Sequence, residues 1–215
     1  MTATSTRTFS QVVTSIEQLR GIVDPPKPDA LSVLKERTDL DQHCRAFITQ
    51  SPFLLLATSG ASGRCDVSPR GDAPGFVHVL DERTIVIPDR PGNRHLDSLR
   101  NIIENPHAGV VFMVPNVDET LRINGRACII EDTDILGGMV MQGRVPRLGV
   151  VIEAEEVFFH CARAFKRARL WQPDTWIERE ALPSLGQILA DQINPPGLDA
   201  TDLDRSADES NRNLY

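Results

Sequence analysis

The sequence predicts a mainly β fold with flanking helices, and three observations carry that expectation. Seven apolar or alternating runs follow one another between Pro52 and Cys161. Several of the connections are as short as antiparallel neighbours require. Only one full helix and one shorter one interrupt the series, so the spacing points to a sandwich or barrel rather than to alternating βαβ units.

The elements follow in chain order. Residues 9–22, FSQVVTSIEQLRGI, place Val12, Val13, Ile16 and Leu19 at helical spacing, with Gly21 as a stop. The DPPKPD run breaks the chain, and a second helix is expected from Ala30 to about Thr49, its apolar face supplied by Leu31, Leu34, Leu40, Cys44 and Phe47. Residues 1–50 therefore read as an N-terminal helical extension. FLLLATS (53–59), a Gly60-to-Gly63 turn and RCDVSPR (64–70) form a hairpin signal. GFVHVL (75–80), TIVIP (84–88), AGVVFMVP (108–115), ETLRINGRACII (119–130) and GVVIEAEEVFFHC (149–161) continue the strands. Residues 51–172 make the β domain. Residues 173–215 add a C-terminal helix and an acidic, turn-rich segment, expected to be a poorly ordered tail or an arm over a partner.

Charge excludes some functions. With a net charge of −7 and a pI near 5.2, the chain shows no basic stripe for a phosphodiester backbone or an anionic membrane. No apolar run is long enough to span a bilayer, and the N-terminus carries no secretory signal, so a cytoplasmic protein is expected. Four separated cysteines without C-x-x-C read as reduced, mostly buried thiols. The dipeptides His43-Cys44 and His160-Cys161 allow a zinc site to be imagined, but neighbours in a strand point to opposite faces, and no metal is expected.

The stretch IPDRPGNRHLDSLRNIIENP (87–106) carries the most chemistry. Leu96, Leu99, Ile102 and Ile103 share a helical face, with Asn93 at the N-cap and Pro106 at the end. On that reading Arg94 and His95 fall in the first turn, where the macrodipole disfavours cations. A bound anion on the free N–H groups removes the conflict; pairing of Arg94 with Asp97 or Asp89 is the alternative. Two further polar faces join it. Arg64, Asp66, Ser68 and Arg70 alternate along one strand, and Arg122, Asn124 and Arg126 along another; either is also readable as a solvated strand face. GGMVMQGRVPR (137–147) reads as flexible and basic, a lid or a dimer contact.

Taken together, the Gly63-Arg64 strand, the strand ending IPD, the G-N-R-H helix opening and the E-N-P helix end resemble the pyridoxamine 5'-phosphate oxidase-like family of FMN-binding split β-barrels, in particular its uncharacterised bacterial FMN-dependent subgroup. The resemblance spans about residues 50–172. It implies an antiparallel split barrel of six to seven strands and FMN as cofactor. It also implies an oxidoreductase that passes hydride between flavin N5 and a small-molecule substrate. Arg64, Asn93, Arg94 and His95 would hold the phosphate, Ile87 and Pro88 would offer backbone to the ring, and Ser68 would reach the ring or ribityl chain. A homodimer is implied, with flavin sites at the subunit interface and Lys166 and Trp171 contributed by the neighbouring chain. His160 is a further candidate beside the ring. Two departures stand out: His95 replaces the family's usual Lys, and no Arg-x-His pair follows Trp171. The resemblance thus implies flavin binding without implying oxidation of pyridoxamine phosphate. A non-catalytic flavin or haem carrier, or a deazaflavin-dependent reductase, are the alternatives on the same barrel. No residue is compelled to act as catalytic acid or base.

Overall fold

The computed structural model describes residues 9–92, 94–193, 196–212 and 214–215. The chain divides into two units, residues 1–36 and 37–215. In the first, the expected helices are short. Helix α1 (Ile16–Arg20) is capped by the Ser15 side chain, and α2 (Leu31–Leu34) is a single turn; neither buries a residue. The helix expected from Ala30 to Thr49 is broken after Leu34, and α3 (Gln42–Gln50) restarts within the second unit. Asp41 caps α3 by accepting the N–H groups of His43 and Cys44. Leu40, Cys44 and Ile48 then enter the main core.

The second unit is built on one seven-stranded antiparallel sheet. Its strands are β1 (Phe53–Ser59), β2 (Cys65–Gly71), β3 (His78–Val79), β4 (Thr84–Pro88), β5 (His107–Met113), β6 (Thr120–Ile130) and β7 (Gly149–His160), in the spatial order β2-β1-β5-β6-β7-β4-β3. The sheet is curved but not closed, with β2 and β3 at its ends. Alternation dictates which residues fill the inside. Leu54 and Leu56, Val110 and Phe112, Leu121 and Ile123, and Ile85 and Ile87 are all buried and share one core with Val150, Ile152 and Ala154. The run GFVHVL yields only the two-residue β3, because Phe76 and Val77 enter the core from a turn.

Opposite Asn124 and Gly125 of β6, β7 carries one extra residue, Glu155, a bulge that shifts the register between the two strands. Before it, Val150, Ile152 and Ala154 point inward; after it, Val157 does. Gly125 is required there, because a Cβ would lie 1.9 Å from the Glu153 carbonyl oxygen. Gly125→Ala is expected to destabilise the fold by about 3 kcal/mol, read as a lower midpoint in urea unfolding.

Helix α4 (Asp97–Glu104) lies against β1, β2 and β6. Its boundaries correct the sequence reading. Arg94 and Leu96 adopt left-handed conformations, φ 58° and 59°, which end any helix upstream of Asp97. Asp97 occupies the first turn, as the macrodipole favours, so the expected conflict of cations at the helix start does not arise. The core face is also corrected: Leu99 and Ile102 are buried with Ser98, while Leu96 is 52% and Ile103 75% exposed.

After β6 come α5 (Thr133–Leu136) and a 3-10 turn over Gly137–Met139. The segment read as flexible then closes tightly: Met141 and Arg144 exchange backbone hydrogen bonds across Gln142 and Gly143, both at positive φ. Helix α6 (Arg163–Ala168) follows β7. The C-terminal region is more ordered than its composition suggests. Helix α7 (Leu185–Ile193) packs on α8 (Ala200–Asn211), whose start is fixed by a reciprocal capping box between Asp199 and Asp202. Of the four cysteines only Cys44 is buried, and burial pushes its thiol up to about 11; Cys65, Cys128 and Cys161 are exposed. Among the described residues no helix is long and apolar enough to cross a membrane, and no three His, Cys, Asp or Glu side chains cluster to hold a metal.

Candidate functional site

The end of β4 opens onto a cavity. Strand β3 covers only Ile85 and Val86, so the edge of β4 beyond them has no strand partner on that side. Backbone alternation decides what this edge offers. The Asp89 N–H bonds the Leu148 carbonyl and the Arg83 carbonyl accepts from Ala154, so odd-numbered residues address β7. The N–H and C=O of Ile87 are therefore used within the sheet, and its side chain is in the core. Pro88 has no N–H, and its carbonyl faces the uncovered edge.

Beyond Pro88, a cavity of about 450 Å³ is walled by residues 89–92 with Arg94 and Leu96, the end of β2, the turn 141–147 and Tyr215. Among the described residues, five arginines line it, Arg70, Arg90, Arg94, Arg144 and Arg147, against the acidic side chain of Asp89. In a chain of net charge −7 this is a local reversal of sign, and a concave wall concentrates the field.

The arginines differ in what they already hold. Arg90 is committed, its Nε donating to Asp72 Oδ2 at 2.6 Å and Nη1 to the Met139 carbonyl at 2.9 Å. The Asp72 side chain is fully buried; it also accepts from Tyr215 Oη at 2.6 Å and from the Ala73 N–H at 2.7 Å. Burial alone would raise the Asp72 pKa, but these donors and the Arg90 charge outweigh it and hold it below the ordinary value. Arg70 donates to Ser68 Oγ and the Pro69 carbonyl. Burial pushes the Asp89 carboxyl up, opposed by the Arg70 charge. Among the described residues no carboxylate pairs with Arg94, Arg144 or Arg147. Arg94 and Leu96 hold left-handed backbone two residues apart, a cost of about 1–2 kcal/mol each that is commonest at binding sites. The cavity can hold an anionic group on planar guanidinium donors, with a second anion on its opposite wall.

The sequence-expected residues are not all brought together here. Arg94 lines this cavity, while Arg64 lines a second one with Arg100, where Asp66, Asp97 and Glu104 outnumber the two arginines. Asn93 lies outside the described residues. His95 is exposed, with Nδ1 3.6 Å from Asp97. Ser68 is held by Arg70 on the half-buried side of β2. Lys166 and Trp171 sit instead at the β5–β6 turn: Lys166 Nζ is 4.0 Å from Asp118, and Trp171 Nε1 donates to the Val117 carbonyl. His160 lies on the sheet's other face, its ring 4.7 Å from Phe158. Arg144, Arg147, Asp89, Asp72 and Tyr215 were not singled out as site residues. The basic end of the 137–147 segment was the available signal for two of them; for Tyr215 the sequence holds none.

Residues 40–161, from just before α3 through the last strand of the sheet, match the sequence profile of pyridoxamine 5'-phosphate oxidase. The chain belongs to the pyridoxamine 5'-phosphate oxidase family. Its unclosed seven-stranded sheet with flanking helices is the split-barrel architecture of that family. No curated protein matches the sequence significantly. Among similar solved structures, HupZ from Group A Streptococcus is 20% identical at a TM-score of 0.46, with 55% of this chain and 92% of that chain covered. An FMN-binding protein from Syntrophomonas wolfei is 8% identical at 0.41, covering 54% and 88%. HutZ, the heme storage protein from Vibrio cholerae, is 17% identical at 0.38, covering 55% and 93%. The assignment to the pyridoxamine 5'-phosphate oxidase family rests on the sequence match.

Proposed function

We propose that the protein is an FMN-dependent oxidoreductase acting on a small anionic substrate. The observation that carries this reading is the arginine-lined cavity beside the open end of β4, in an otherwise acidic chain of this family. The residues fit a flavin mononucleotide. Arg94, with no carboxylate partner among the described residues, would take the phosphate, and the Pro88 carbonyl would meet a ring N–H. When bound, the flavin supplies the two-electron chemistry. The chain's own residues bind and orient: Arg144 and Arg147, on the tight turn across the cavity, would hold an acidic group of the substrate. His95 is proposed as an outer phosphate contact, while Arg64, in the second cavity with Arg100, lies outside this grip.

The reading includes a homodimer. The outer face of the sheet, away from the core, combines Val67, 61% exposed, with Ala57, Val111 and the half-buried Arg122–Glu156 pair. Among the described residues Arg122 Nε has no hydrogen-bond partner in its buried position there, and the guanidinium covers the Phe158 ring at 4.5 Å. A second copy on this face is proposed to bring Lys166 and Trp171 to the flavin of its neighbour. A cytoplasmic location is part of the same proposal.

The purified protein is expected to be yellow and to release FMN on acid denaturation. A Soret band in its visible spectrum, or failure of the colourless protein to take up micromolar FMN, would sink the reading. A double variant, Arg144→Ala with Arg147→Ala, is expected to keep FMN affinity within about threefold while weakening phenyl phosphate at least about tenfold, followed by the flavin absorbance.

A further inference from the structure

We propose that the C-terminal segment is a closing wall of the arginine-lined cavity, docked through Tyr215 onto Asp72, and that ligand occupancy and docking reinforce each other. The inference rests on the reading of this cavity as the cofactor and substrate site.

Four observations carry it. Tyr215 lines the cavity together with Arg70, Arg94 and Arg147. Its phenol donates to Asp72, 143 positions away in sequence, at 2.6 Å. Asp72 is already engaged at this place: it bridges Arg90 and the Ala73 N–H, and with Tyr215 docked its side chain is fully buried. The segment that delivers Tyr215 is built rather than loose. Helix α8 packs on α7 so closely that a Cβ at Gly186 would lie 2.1 Å from the Ala200 carbonyl oxygen, and the Gly186 N–H donates to Asp204 at 2.6 Å. The helical pair and the phenol–carboxylate bond thus hold an aromatic ring at the cavity mouth.

The consequence is a linkage. A ligand that touches the docked ring gains contact area it loses when the segment is released, so ligand binding favours docking and docking tightens ligand binding by the same factor, with a slower ligand escape as its kinetic expression. Tyr215 is a positioning residue in this scheme: through Asp72 it also fixes Arg90, whose guanidinium forms part of the same wall.

Tyr215 is the single tyrosine of the chain, so replacing tyrosine with 3-fluorotyrosine gives one fluorine NMR resonance that reports the docked ring. The full-length protein is titrated with FMN while that resonance, FMN dissociation by stopped flow and limited proteolysis of residues 196–212 are followed. Saturation with FMN is expected to move the resonance and slow cleavage at least threefold. Tyr215→Ala should speed FMN dissociation about tenfold, with Tyr215→Phe in between, because it keeps the ring and loses the bond. Unchanged dissociation in Tyr215→Ala, or tighter FMN binding by it, overturns the proposal, the second by showing an autoinhibitory plug. If the wild-type protein takes up no FMN, the functional reading falls by itself. The same resonance and proteolysis measurements with phenyl phosphate then decide the closure, and a protein that responds to neither ligand overturns both.

Discussion

Arg94→Ala is expected to weaken FMN binding by about 30- to 100-fold while leaving the thermal midpoint of the ligand-free protein within about 2 °C of wild type. The two halves of that expectation have separate causes. A guanidinium on a phosphate makes charge-assisted hydrogen bonds, and losing them from a concave, partly desolvated wall costs about 2–3 kcal/mol. The fold asks nothing of the same side chain: Arg94 is exposed and pairs with no carboxylate among the described residues. Its backbone sits at φ 58°, which only glycine adopts without cost. Arg94→Gly should therefore lose FMN as Arg94→Ala does, yet leave the ligand-free fold as stable or more stable, by up to about 1 kcal/mol. Differential scanning calorimetry beside an FMN titration separates the two. Equal FMN affinity in all three proteins would remove Arg94 from the phosphate site.

Asp72→Ala is expected to have the largest effect on stability, a loss of about 3–5 kcal/mol in chemical denaturation. The carboxylate is fully buried and holds Arg90 and Tyr215 together, so its removal leaves a largely buried guanidinium without its counter-charge. The pH dependence follows from the lowered Asp72 pKa. A carboxyl that ionises more readily folded than unfolded contributes stability fully above its ordinary value of 3.8, and that contribution disappears as pH falls through the lower folded value. Wild type and Asp72→Ala should accordingly converge in stability under acid, and a difference that stays constant down to pH 2 would refute the assignment.

The sequence and the structure agree where one period governs a whole element. The strands were legible because Leu54, Leu56, Val110, Phe112, Ile123 and Ile152 alternate with polar or half-buried positions and meet in one core. The unclosed ring of strands and the family followed from the same runs. Legibility failed where single residues override a period. Leu96 and Ile103 fit a helical stripe on paper, but the left-handed turn at Arg94 and Leu96 starts α4 late and rotates both toward solvent. The site was half legible for a related reason. Arg94 was visible as a cation in a loop, whereas Arg144, Arg147 and Tyr215 reach the same cavity from turns and a tail whose spatial arrival no local pattern encodes. Arg64, placed with Arg94 by resemblance, lines a different cavity, because Arg64 precedes the strand that Arg70 ends. Composition left the acidic tail open between a loose end and an arm over a partner; its helix α8 is set by the Asp199–Asp202 pair, a local device that average charge does not reveal.

The bulge opposite Gly125 leaves β7 sensitive to length everywhere but at one residue. Side chains of a strand keep to their faces only while the count of residues is unchanged, and β7 carries one residue more than β6 at Glu155. Deleting Glu155 would leave a regular ladder, with Ala154 still opposite Gly125, Glu156 opposite Asn124 and Val157 facing the core. Inserting or deleting a residue elsewhere in 149–160 would turn one part of the strand inside out. The long strand behind the cavity is thus free to vary in side chains along its outer face and closed to changes in length away from that bulge.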